Sequence, residues 1–108
     1  LIPKINKTEK GNNVLHTFPS ETPKEIVISN AFYQNFMNQS VEKDPLKYHI
    51  GIFKMTDGGY GISIRGENAL ELTGKIARQY DTEPLGRKTG AGFGTSKEIK
   101  TSKLIEIL

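Results

Sequence analysis

Cysteine and tryptophan are absent from the chain, and histidine occurs only twice, at His16 and His49. Without a thiol there is no disulfide, no thiolate nucleophile and no cysteine-ligated metal. A small domain that relies on its core instead of disulfides fits a reducing compartment, so a cytoplasmic location is expected. No apolar run is long enough to cross a bilayer, and no membrane partner is expected. A strong charge of either sign is missing too: 15 Lys and Arg against 12 Asp and Glu leave a formal +3 over 108 residues. That balance allows an acidic partner without demanding one. A chain of this length builds one core, and 35% hydrophobic with 25% charged residues is the composition of a folded domain. The first residue is Leu rather than Met, which reads as a start trimmed, processed or cut from a longer protein.

What is present is organised around 47–80. Lys47–Lys54 is rich in β-formers, Asp57-Gly58-Gly59 tolerates the positive φ of a tight turn, and Tyr60–Arg65 alternates apolar and polar. The alternation puts Tyr48, Ile50 and Ile52 on one face with Tyr60, Ile62 and Ile64, and leaves His49, Gly51, Phe53, Gly61, Ser63 and Arg65 on the other. Gly51 and Gly61 predict a bulge or a close backbone approach on that second face. From Glu67 to Tyr80 the period becomes helical, with Ala69, Leu70, Leu72, Ile76, Ala77 and Tyr80 forming an apolar face. Gly74 weakens this helix by about 1 kcal/mol relative to Ala. Asn68 with Glu71 predicts a capping box, and Asp81 with Pro84 beyond it predicts the helix end.

Residues 1–13 read as a flexible basic arm and 14–108 as one domain. Val14–Phe18 is a short strand, Pro19 and Pro23 bracket a linker, and Glu25–Ile28 reads as a second strand from its β-branched residues. Ser29 is placed as the N-cap of a short helix whose stripe is Phe32, Tyr33, Phe36 and Met37, a pattern that belongs to a core. Asp44-Pro45 stops that helix. Leu85–Ser102 reads as a glycine-rich basic loop, and Lys103–Leu108 as a closing strand that begins near Glu98. The expected fold is α+β: an antiparallel sheet of four to five strands with two helices.

The glycine-rich stretch carries the candidate chemistry. Pro84–Leu108 holds Arg87, Lys88, Lys97, Lys100 and Lys103 against Glu98 and Glu106. Free backbone N–H groups near such cations can cradle phosphate. The order of residues is not that of a Walker A loop, since Thr95-Ser96 precede Lys97, and no strand–helix context makes it a dinucleotide fingerprint. The expected nucleic-acid contacts are therefore Arg87, Lys88, Lys97, Lys100 and Lys103 on phosphates, with Phe93 as a stacking ring. His16 and His49 are expected to be structural, Asp57 is explained by its turn, and Asp81 and Glu83 by solvated acids near a helix end. No catalytic residue, metal or cofactor is assigned.

The order strand, strand, short helix, strand, strand over 14–65, carried by Glu25–Ser29, Phe32, Phe36 and the hairpin from Ile50 to Ile64, resembles the AbrB/MazE-like swapped-hairpin DNA-binding proteins. That resemblance implies an intertwined homodimer and basic residues on strands and loops contacting DNA. Residues 66–108 have no counterpart in it. The leading expectation is a small nucleic-acid-binding or regulatory module. A protein-interaction domain, either an inhibitor or one subunit of a larger assembly, is the alternative. An enzyme using the glycine segment on a phosphate ligand is the third.

Overall fold

The computed structural model describes residues 5–18, 23–54 and 58–108, without the side chains of 23–32. The Pro19–Thr22 linker and Asp57 fall outside them. Nine elements follow in order: β1 (Asn6–Lys10), β2 (Asn13–Thr17), α1 (Pro23–Lys43), β3 (Tyr48–Lys54), β4 (Tyr60–Arg65), α2 (Ala69–Gln79), β5 (Leu85–Arg87), β6 (Gly90–Thr95) and α3 (Thr101–Ile107).

The alternating residues of β3 and β4 set the register of the whole sheet. Ile50 pairs with Ile64 and Ile52 with Ile62. The first row extends through Leu15 on one side and Ala91 on the other, and the second reaches Phe93. Leu15, the four isoleucines and Phe93, with Ala69, Ile76, Ala77 and Tyr80 of α2 and Leu104 of α3, make one buried cluster. The opposite face packs α1: Tyr33 and Met37 join Phe18 in a second cluster, with Phe36 and Phe53 against it. Gly51 is bare because a Cβ there would lie 2.8 Å from Met37 Sδ and 3.2 Å from the Phe18 ring. Neither the bulge nor the close backbone approach predicted at Gly51 occurs there: the register runs on unbroken, and the Met37 side chain of α1 and the Phe18 ring after β2 fill the space.

The sheet is six-stranded, in the order β1-β2-β3-β4-β6-β5. It is mixed: β2 and β3 run parallel, while the other neighbours are antiparallel. The fold is α+β, but three helices and this sheet replace the expected two helices and four to five antiparallel strands.

Each difference has a physical reason. Parallel strands need a crossover, and α1 is that crossover, so Glu25–Ile28 is helical rather than a strand. Pro23 occupies the first position of α1, where its missing N–H costs nothing, and β-branched residues pay only a few tenths of a kcal/mol in a helix. Ser29 consequently lies inside α1 and is not its N-cap. Lys103–Leu108 is helical: Leu104 and Leu108 stand one turn apart, and the Leu108 N–H donates to the Leu104 carbonyl at 2.9 Å. Within the expected basic arm, Asn6–Lys10 is an edge strand on β2, turned by Gly11 at φ +57°. The expected loop at 85–102 contains the β5–β6 hairpin. Its period of two is present but written in glycine: Ala91 and Phe93 face the core, and Gly90, Gly92 and Gly94 face the α1 side. Gly92 is required by the sheet itself, because a Cβ there would meet the Ile62 carbonyl oxygen of β4.

α2 begins without the predicted capping box, since Asn68 makes no side-chain cap bond. The Leu70 N–H instead donates to the Lys88 carbonyl at 3.2 Å, and the Gly66 N–H to that of Thr89 at 3.1 Å. The β5–β6 turn is thereby pinned over the start of α2. The helix ends where predicted: Asp81 takes φ +54°, and the N–H groups of Asp81 and Thr82 reach back to the Arg78 and Ala77 carbonyls, a Schellman arrangement. No helix among the described residues is long and apolar enough to cross a membrane.

Candidate anion-binding cleft

Arg65 closes β4 on the α1 side of the sheet, beside Gly90 at the start of β6. α1 meets it with Gln34 and Asn38, one turn apart on the same helix face. Arg65 Nε donates to Asn38 Oδ1 at 3.1 Å, Nη2 to Gln34 Oε1 at 2.7 Å, and Nη1 to Ser63 Oγ at 2.8 Å and the Ile64 carbonyl at 3.2 Å. Every one of these acceptors is neutral. No carboxylate pairs with Arg65 among the described residues. Burial, and after it the nearby Arg87 charge, hold its pKa below the usual guanidinium range.

The neighbour follows from register. Arg65 pairs with Gly90, and Gly90 with Arg87, so the two arginines flank one glycine in a single row across β4, β6 and β5. Their Cα atoms are two strand spacings apart, about 10 Å. The Arg65 stem lies along Gly90, where an added Cβ would meet Arg65 Cδ at 3.3 Å. A cleft of about 540 Å³ opens at this row, lined by Asn38, Pro45, Arg65, Glu67, Arg87 and Thr89 among others. A second, of about 360 Å³, shares Arg65 and Gly90 with it and runs along β6 past Phe53 and Leu85. Two like charges set in one partly dry row repel each other; an anion between them removes that cost and takes charge-assisted hydrogen bonds. Glu67 stands at the rim and makes no ion pair among the described residues.

The expected cations do not assemble as one group. Arg87 lines this cleft, and the exposed Lys88 follows it in the β5–β6 turn. Lys97 follows the far end of β6 and is hydrogen-bonded to Asp81 at 2.6 Å; the pairing lowers the Asp81 pKa. Lys100 lies 3.8 Å from Glu98. Lys103 is exposed on α3, which attaches beside β1 and β2 through Thr101–Thr17 and a bond from Lys10 to the Ile105 carbonyl. Phe93 is only 6% exposed and tilts against Tyr80 in the core, so its face is not offered to a base. Arg65, Gln34 and Asn38 were not legible as a site, because an Arg in the polar slot of an alternating strand reads as solvent-facing.

The two histidines, 33 residues apart, are brought together by the parallel pairing of β2 and β3. His49 Nε2 lies 2.9 Å from the Asp44 carbonyl, which can only accept, so Nε2 carries the proton and Nδ1 accepts from His16 Nε2 at 3.2 Å. Both rings are buried, and His16 also meets the edge of Phe36. Burial first, then His49, pushes the His16 pKa down to about 4. The two rings are buried and hydrogen-bonded to each other and to the Asp44 carbonyl, so packing and hydrogen bonding account for them. No group of three metal-ligating side chains occurs among the described residues. Comparison with known family models and with curated proteins finds no match to this chain.

Proposed function

We propose that the domain is a nucleic-acid-binding module that contacts backbone phosphates through the Arg65–Gly90–Arg87 row, with Lys88 beside it. One observation carries the reading: a half-buried guanidinium, oriented by Gln34, Asn38 and Ser63, has no acid partner among the described residues and shares its row with a second arginine. A guanidinium already held in place loses little freedom when it binds, and its planar fork suits phosphate oxygens. Binding would release counterions and weaken with salt, by roughly 0.7–0.9 in log–log slope for each phosphate neutralised. The test is fluorescence anisotropy with labelled DNA and RNA across a salt series. Arg65→Ala and Arg87→Ala each lower the affinity and flatten the slope by about one contact, whereas Lys103→Ala leaves both unchanged. Absence of binding to either nucleic acid at low salt refutes the proposal.

A protein-interaction role is the second reading, favoured by Leu85, which is 76% exposed on the edge strand β5. A stable protein complex that survives nuclease treatment supports it.

A further inference from the structure

The α1 face of the sheet is built of three rows. They are Phe53–Gly61–Gly94, Gly51–Ser63–Gly92 and His49–Arg65–Gly90. In the first row the Phe53 ring lies over Gly61, where an added Cβ would come within 2.6 Å of it. In the third, Arg65 lies over Gly90. The middle row is filled at Gly51 by Met37, while Ser63 Oγ is engaged by Arg65. Beyond Ser63, Gly92 carries no side chain, and the smaller cleft opens there. Phe53, which is half-buried and stacks on Tyr33 of α1 with ring centroids 6.1 Å apart, thus lines this cleft together with the Arg65 guanidinium. Phe53 pairs with Gly61, and Gly61 and Arg65 stand four residues apart along β4, about 13 Å of strand. The bare floor is not the argument, since the sheet itself demands Gly92. The two flat side chains that bound it are.

We infer that this cleft takes an unpaired base while Arg65 and Arg87 hold the adjoining phosphate, so that the ligand is a single strand. The inference rests on the nucleic-acid reading above. Aromatic rings and guanidinium planes are the two side-chain surfaces on which bases stack. A duplex keeps its bases paired and stacked inside and offers this cleft only phosphates. A single strand can turn one base out and satisfy both halves of the site.

The experiment compares three labelled ligands at one low salt concentration: a single-stranded DNA, an abasic strand of the same length and charge, and the corresponding duplex. The expected result is binding of the base-bearing strand about fivefold or more tighter than the abasic one. Phe53→Leu removes that preference and leaves abasic binding unchanged, and Phe53→Tyr restores it. Equal, salt-sensitive binding of the base-bearing and abasic strands overturns the inference and leaves the phosphate contact standing. No binding to any of the three overturns both. If Phe53→Leu does not fold, the two strands measured on the unaltered protein decide alone.

Discussion

Acidification from pH 7.5 to 4.5 tests the histidine pair without altering a residue. His16 titrates at 6.5 in an exposed chain and at about 4 in the folded one, where burial comes first and His49 second among the causes. Its folded pKa is depressed, so the unfolded chain binds more protons between these values and stability rises with pH through this window. The contribution is complete above pH 6.5 and is lost as the pH falls toward 4. At about 1.36 kcal/mol per unit, two units of this window remove roughly 3 kcal/mol, a large share of the 5–15 kcal/mol typical of a small domain. Lys7 and Glu9 on β1 also act on His16, in opposite directions, and both are smaller causes than burial. Glu9 and Asp81, each held below the usual carboxylate range by a lysine partner, add a loss of the same sign that begins only as the pH nears the unfolded carboxylate range. A His16→Gln variant retains that loss, so the difference between the two proteins reports His16. The assay is urea unfolding at half-unit steps of pH, repeated on His16→Gln, which keeps a donor near His49 Nδ1 but cannot titrate. The unaltered protein should lose most of the predicted stability by pH 4.5 while His16→Gln stays nearly flat. A flat profile for the unaltered protein, or equal slopes for the two, would refute the argument.

Two stability predictions test the packing on either side of the sheet. Tyr80→Phe should stabilise by about 1 kcal/mol, because the Tyr80 hydroxyl is buried with no hydrogen-bond partner among the described residues; a measured loss would mean that the hydroxyl is satisfied. Gly51→Ala should destabilise by about 1–3 kcal/mol through overpacking against Met37 and Phe18, and Met37→Ala in the same chain should recover part of that loss, as read by denaturant midpoints.

Legibility divides along one physical line. The β3–β4 hairpin, the apolar face of α2 and the end of α2 at Asp81 follow from periodicity and turn chemistry within a dozen residues, and the structure has them. The β6 strand escaped because glycine occupies its polar slots and carries no hydropathy signal, although Ala91 and Phe93 alternate with it. The start of α1 escaped because Ile26, Val27 and Ile28 favour strands, and only the parallel pairing of β2 with β3 makes a helical crossover necessary there. Arg87 and Lys88 could be named from local charge. Arg65 could not, because its standing depends on Gln34 and Asn38, 31 and 27 residues away. Lys97 could not be set aside either, since the acid that meets it lies 16 residues earlier.

By itself, then, the sequence determined that the chain folds as a disulfide-free α+β domain around an isoleucine hairpin and an amphipathic helix, because these depend on side-chain patterns repeating over a few residues. Tertiary structure alone decided the parallel pairing of β2 with β3, the meeting of His16 with His49, the burial of Phe93 and the row that sets Arg65 beside Arg87. Each is a contact between distant segments, and its partners are chosen by strand register and helix placement when the whole core closes.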